Sequence, residues 1–218
     1  MDLDEALMTT RAMRRLTNDP PVEDTEIEHC LRAAVQAPSG GNVQPWHFVV
    51  VTDPEKRREV AEIYQRSWAR YRAALLPSLP PFPSEEAEAS FIRGIRASEH
   101  LAEHLADTPL VVFCMAVFEN TLVDEQGPLD IGTLHASVLP AVQNFMLAAR
   151  GIGLGTTLTT VFRVHLDELK EVLGLGDRHD VVALVPIGRP LGQFGVAPRR
   201  PAEAVTSWDT YGERRAFS

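Results

Sequence analysis

The chain has 218 residues, 44% hydrophobic and 23% charged, enough for one substantial core or two small ones. Its formal net charge of -9 argues against non-specific nucleic-acid binding, which needs a basic footprint. No apolar run reaches the ~20 residues that span a bilayer. The acidic start, MDLDEALMTTRAMRR, lacks the basic region of a signal peptide, so a cytoplasmic protein with no membrane partner is expected. Cys30 and Cys114 make no metal or redox spacing and read as reduced core thiols, and no metal site is expected.

Residues 2–9 read as a short helix and Glu23 to Ala37 as a second, with Asp24 or Thr25 near its cap. In the second, Ile27, Leu31, Ala34 and Val35 fall on one stripe at helical spacing. A buried strand is expected over 47–52, followed by a charged amphipathic helix opened by Asp53-Pro54. Residues 77–84, PSLPPFPS, hold four prolines in eight positions and cannot be regular structure. Helix resumes from Glu85, and PLVVFCMAVF (109–118) reads as a second buried strand. Residues 130–150 form the most apolar helix, interrupted by Pro140. A further helix is expected over HLDELKEVLGL and a third strand over DVVALVPIGRP. Beyond Pro190 the chain is rich in Pro, Arg and Gly without periodicity. The fold class is α+β, a small sheet wrapped by more apolar helix than it can cover. That surplus points to burial against a second subunit.

Three stretches carry chemistry. In TTRAMRRLTNDP, Arg11, Arg14 and Arg15 sit at the end of the first helix. They read either as cations complementing a helix C-terminus or as an anion clamp, since guanidinium forks match phosphate oxygens. A second basic pair, Arg199 and Arg200, lies in the tail and could converge on the same phosphate. APSGGNVQPWHF (37–48) carries more polar chemistry than a turn requires. GIGLGTT holds glycines but follows a helix rather than a strand, and no GxGxxG or P-loop pattern is present.

In that order, TRAMRRL, APSGGNVQPWHFVVV, VQNFMLAARGIGLGTT and VPIGRP resemble the FMN-dependent nitroreductase family over almost the whole chain. The second motif is the most specific. The resemblance implies one domain, 1–218, with a small mixed, mainly antiparallel sheet flanked by helices, in an intertwined homodimer with FMN at the interface. It implies a variable lid at about 69–95 and a C-terminal arm from about 190. The hook Arg11, Ala12, Met13, Arg14 and Arg15 would hold the FMN phosphate and ribityl chain. Pro38, Ser39, Gly40 and Asn42 would reach the flavin from the other subunit. Leu158, Thr159 and Thr160 would lie against the ring, and Arg199 would return to the phosphate. Many relatives carry serine where this chain has Ala12, and Arg70 or Arg72 could replace another basic contact.

The activity so implied passes electrons from NAD(P)H through FMN to a small aromatic or conjugated acceptor by a ping-pong route. The flavin carries the chemistry, so no side chain is assigned as catalytic. His47, His135 and His165 qualify only by residue type. A flavin-sequestering protein with little turnover is the alternative. A helical interaction protein without cofactor would leave the hook, the loop and the tail unexplained together.

Overall fold

The computed structural model describes residues 1–116, 123–128 and 132–217. Its sheet grows from two apolar runs whose alternate side chains enter opposite layers. In β3 (Leu110–Ala116), Val111, Phe113 and Met115 point into one core, and Leu110, Val112 and Cys114 into the other. β7 (His179–Pro190) runs antiparallel beside it. The register shifts so that Phe113 faces Ala183 while Cys114 faces Val181. Val182 is therefore a bulge that resets the alternation. Val182, Ala183, Val185 and Ile187 reach the first core, and Val181 and Leu184 the second.

β2 (Trp46–Val51) pairs with the far edge of β3. Two short strands, β1 (Leu16–Thr17) and β6 (Gly155–Thr156), pair with β7 near its end. The order is β1-β7-β3-β2 with β6 against β7, and every pairing among the described residues is antiparallel. β4 (Val123–Asp124) and β5 (Gly127–Pro128) form a separate hairpin.

The helices divide between the two faces. α1 (Leu3–Thr9) buries no side chain. α2 (Asp24–Ala34) and α5 (His135–Gly151) cover the first core with Ile27, Cys30, Ala34, Val138, Val142 and Phe145. α3 (Pro54–Leu75), α4 (Glu85–His104) and α6 (Leu166–Val172) cover the second with Val60, Ile63, Tyr64, Trp68, Leu101 and Leu169. Both cysteines are free and buried, and burial pushes their thiols up to about 12, so neither supplies a thiolate at neutral pH.

Some boundaries differ from the sequence expectation. α2 is opened by Glu23 rather than Asp24 or Thr25: Glu23 has extended backbone, and its N–H donates to the Glu26 carboxylate at 3.0 Å. That helix stops at Ala34, ahead of Ala37, in a turn where Val35, Gln36 and Ala37 donate to Leu31, Ala33 and Ala34 carbonyls. Only residues 76–84 break the helix pair that the proline run separates, and the first of them, Leu76–Ser78, already form a 3-10 turn. Of the strand expected over 109–118, residues 117 and 118 lie outside the described residues, as do 130 and 131 of the long helix.

One ion pair ties the end of β7 to the start of α2. Arg189 donates to both Glu26 carboxylate oxygens at 2.9 and 2.8 Å, and to the Pro20 and Pro21 carbonyls at 3.2 and 2.8 Å. Each side chain is only about a quarter exposed, so solvent screens the pair weakly. The Arg189 guanidinium holds the Glu26 carboxyl below its ordinary value, against a smaller opposing effect of burial. A carboxyl depressed in the folded state stabilises in full above its unfolded value, about 4.3, and loses that contribution as the pH falls through the folded one. Arg189→Ala is expected to cost about 2 to 3 kcal/mol at neutral pH, with the deficit shrinking below pH about 4. Urea unfolding at several pH values checks this, and a deficit that grows on acidification would refute it.

Candidate functional site

The hook is extended chain held at both ends. Met13 N–H donates to the Thr156 carbonyl at 2.8 Å, and Leu191 N–H donates to the Arg15 carbonyl at 3.0 Å. Met13 is buried as the anchor, Arg14 is half-buried, and Arg11, Ala12 and Arg15 are exposed. Two glycines allow this close lie. A Cβ on Gly155 would stand 2.7 Å from Leu16 Cδ2 and 3.1 Å from Met13 Cβ. A Cβ on Gly188 would stand 2.8 Å from Thr108 Cγ2 and 2.9 Å from the Thr17 carbonyl oxygen. Only glycine lets β1 cross β6 and β7 this closely.

Beside the hook lies a cavity of about 490 Å³. Arg11, Ala12, Met13, Arg14 and Arg15 form one wall. Ser90, Arg93, Gly94 and Ala97 of α4 form the opposite wall at i, i+3, i+4 and i+7, one face of a helix. Gly192, Gln193 and Pro198 of the C-terminal arm close the rim. Among the described residues, no carboxylate lines it. The guanidinium groups of Arg11, Arg14, Arg15 and Arg93 have no hydrogen bond or ion pair among the described residues. Other arginines divide: Arg66 pairs with Glu168, Arg72 with Glu99, Arg163 with Asp180 and Arg189 with Glu26, whereas Arg57, Arg70 and Arg96 have no side-chain partner among the described residues and do not line the cavity. Four unpaired cations around one cavity make a donor set suited to a phosphate.

The turn 158–160 stands close to the hook through Tyr64. The buried Tyr64 hydroxyl lies 2.9 Å from Thr159 Oγ1. Burial pushes the Tyr64 phenol up, while the Thr159 hydrogen bond and the nearby Arg14 charge oppose that rise. Thr159 is turned inward, its N–H and carbonyl both paired with Leu184 at 3.0 and 3.1 Å. Leu158 and Thr160 are exposed, so they are the members of the turn with open faces. Just before them, Thr157 buries a hydroxyl with no partner among the described residues. α4 also meets the hook at His100, whose imidazole burial holds below the ordinary value, with His104 and Arg15 adding to the effect.

The loop 38–42 is elsewhere: none of Pro38, Ser39, Gly40 or Asn42 lines the cavity of its own chain. It is pre-shaped nonetheless. Ser39 Oγ accepts from Gln44 N–H at 2.8 Å, and Gln44 Nε2 donates to Asn42 Oδ1 at 3.0 Å. Gly41, Asn42 and Gln44 all have φ near +50°, a region that is uncommon for non-glycine residues and concentrates at functional loops. Gly40 N–H donates to Ser137 Oγ of α5 at 3.3 Å, and a Cβ on Gly40 would meet no atom within 4 Å. Trp46 and Phe48 pack against the first core. Arg199 is exposed, donates to the Pro198 carbonyl at 3.0 Å and does not itself line the cavity, although Pro198 does.

Of the other basic candidates, Arg72 is taken by Glu99 and Arg70 is exposed without lining the cavity. His47 is exposed on β2, His135 lies between Thr133 and Asp180, and His165 meets the buried Ser67 at 2.9 Å. None of the three lines the cavity. Three residues of the α4 wall, Ser90, Arg93 and Gly94, fall within the lid expected over about 69–95, but none of the four was singled out from sequence by residue. The wall's one signal is SFIRGIRA, where serine, arginine, glycine and alanine recur on one helical face.

Relatives carry the same frame. A 5,6-dimethylbenzimidazole synthase of Rhodospirillum rubrum is 32% identical over 215 residues, 93% of this chain and 92% of its own. An FMN reductase (NADPH) of Bacillus subtilis is 26% identical over 212 residues, covering 95% of this chain and 73% of its own. The solved structure of oxidised iodotyrosine deiodinase, bound to FMN and 3-iodo-L-tyrosine, superposes with a TM-score of 0.73 at 18% identity. It covers 96% of this chain and the whole of its own, a likeness of fold. The profile of the Nitroreductase family matches residues 7–189, and the chain belongs to that family.

Proposed function

We propose that the protein is an FMN-dependent NAD(P)H oxidoreductase whose cavity holds the FMN phosphate against the arginine hook. The observation that carries this reading is the set of unpaired arginines around a cavity without a carboxylate, in a chain of net charge -9. Bound FMN supplies hydride acceptance from NAD(P)H and electron release to the acceptor. The chain's own part is binding and orientation. Arg11 and Arg14 hold the phosphate, the Tyr64–Thr159 hydrogen bond fixes the turn, and exposed Leu158 and Thr160 bound the ring face. Reductant and acceptor use the cleft in turn, a ping-pong scheme, and the acceptor is a small conjugated molecule. Residues 69–95 act as the wall that selects it, supported by Ser90, Arg93 and Gly94 on the cavity and by the Phe82–Phe91 ring contact of 5.2 Å beside the proline turn.

The active unit in this reading is a homodimer. The pre-shaped loop 38–42 does not line its own cavity, and α1 leaves Leu3, Leu7 and Met8 more than half exposed. The arm leaves Val196, Val205 and Tyr211 exposed as well. Faces of this kind mark association surfaces. A flavin-sequestering protein is the alternative, and one experiment separates the two. Purified protein loaded with FMN is expected to sediment as a dimer, and NAD(P)H should bleach it anaerobically within a turnover time. A yellow protein that NADH and NADPH leave oxidised would favour sequestration, and an FMN-bound monomer would refute the shared cleft.

A further inference from the structure

The charge around the cavity exceeds what one flavin phosphate can neutralise. A phosphate monoester carries about -1.5 to -2 at neutral pH. Four arginines with no side-chain partner among the described residues line the same cavity. Arg11, Arg14 and Arg15 belong to one extended segment, whereas Arg93 stands on the opposite wall, on α4. The helix offers Arg93 nothing to neutralise it. Positions three and four residues away hold Ala89, Ser90, Arg96 and Ala97. Arg32, Arg58, Arg66 and Arg72 find carboxylates on their own or a neighbouring helix, whereas Arg70, Arg93 and Arg96 find none among the described residues, and of these three only Arg93 lines the cavity. Next to Arg93 the wall is low: a Cβ on Gly94 would meet no atom within 4 Å, so a second group can lie against the helix there.

We propose that Arg93, with Ser90 one turn before it, is the subsite that receives the adenosine 2′-phosphate of NADPH, making NADPH the preferred reductant. This rests on the FMN reading above. NADPH and NADH differ only by that phosphate, so a surplus cation beside the cleft discriminates between them directly. A guanidinium fork and a hydroxyl on one helical face suit a phosphate monoester, to which they donate together. One charge-assisted contact of this kind is worth about tenfold or more in affinity.

The test uses FMN-loaded protein, wild type and Arg93→Ala, with three readouts. FMN affinity is measured by fluorescence, adenosine 2′,5′-bisphosphate and 5′-AMP binding by calorimetry, and anaerobic reduction with NADPH and with NADH by stopped flow. The wild type is expected to favour NADPH and the bisphosphate by about tenfold or more, and Arg93→Ala to bring both ratios close to one while keeping FMN bound. Arg93→Lys should keep part of the preference, since a point charge replaces the fork. Unchanged ratios in Arg93→Ala, or a wild type that favours NADH, would overturn the assignment. Loss of FMN in Arg93→Ala would overturn it too, by making Arg93 part of the cofactor clamp. Altered kinetics for a carboxylated acceptor at unchanged nicotinamide ratios would assign Arg93 to the acceptor instead. A wild type that binds no FMN would sink the flavin reading itself, an outcome distinct from these.

Discussion

Alanine at both Arg11 and Arg14 is expected to weaken FMN binding by about a hundredfold or more while leaving the chain folded. The energy comes from charge-assisted hydrogen bonds, each worth about 1.5 to 3 kcal/mol when a phosphate replaces water around an otherwise unpaired guanidinium. Neither side chain makes a hydrogen bond or ion pair among the described residues, so removing it breaks no polar contact there. Removing Arg14 also takes away a charge that favours ionised Tyr64, but a buried phenol stays protonated at neutral pH without it. The denaturant midpoint should therefore move little. Because both groups would grip one phosphate, the double variant should lose less than the sum of the single losses. Fluorescence titration with FMN, beside urea unfolding of the apo forms, checks both halves. A tight FMN complex in the double variant would remove the hook from the site.

Gly188→Val is expected to cost about 3 kcal/mol of stability and to release FMN, although Gly188 itself does not line the cavity. Two of the atoms its Cβ would strike are the Thr17 carbonyl oxygen at 2.9 Å and Leu16 Cβ at 3.1 Å, both in β1. The third, Thr108 Cγ2 at 2.8 Å, belongs to a buried residue on the other side. A backbone oxygen cannot swing aside as a side-chain end can, so β1 must leave β7. Leu16 follows Arg15 directly, and the hook moves with it. Gly40→Ala is the control for stability: its Cβ meets open space, so the unfolding midpoint should hold. Thermal unfolding with released-flavin fluorescence reads both effects. An unshifted midpoint with retained FMN in Gly188→Val would mean that β1 is not what positions the hook.

The long elements were legible because each carries its own period. The Val111–Met115 run alternates between two cores. α2 buries Ile27 and Ala34 of the expected stripe and half-buries Leu31, while Cys30 takes the buried place expected for Val35, which is exposed beyond the helix end. The short strands were not legible. Leu16–Thr17 and Gly155–Thr156 are two residues each, too short for any alternation, and exist because Gly155 and Gly188 admit them. Val182 was invisible for a related reason: a bulge depends on the partner strand's register, which no single run records.

The site divides in the same way. The hook could be read because three arginines within five residues form a local signal. Arg93 could not, since it comes to line the same cavity as Arg14 only once the chain has folded. Tyr64 and Thr159 are 95 residues apart and meet through a buried hydrogen bond that neither neighbourhood predicts. In the loop, Gly41 needs its glycine for a φ of +56°, whereas Gly40 leaves an open surface. Composition suggested both glycines, and the backbone separates their roles.

The central claim is that a phosphate is what the hook grips. Equilibrium binding of FMN and of riboflavin to cofactor-stripped wild-type protein tests it most directly, because the two ligands share the ring and ribityl chain and differ by the phosphate alone. The account predicts one FMN per chain, bound about a hundredfold or more tighter than riboflavin, with a preference that falls as salt is added. Equal affinity for the two flavins, or a preference insensitive to salt, would contradict it.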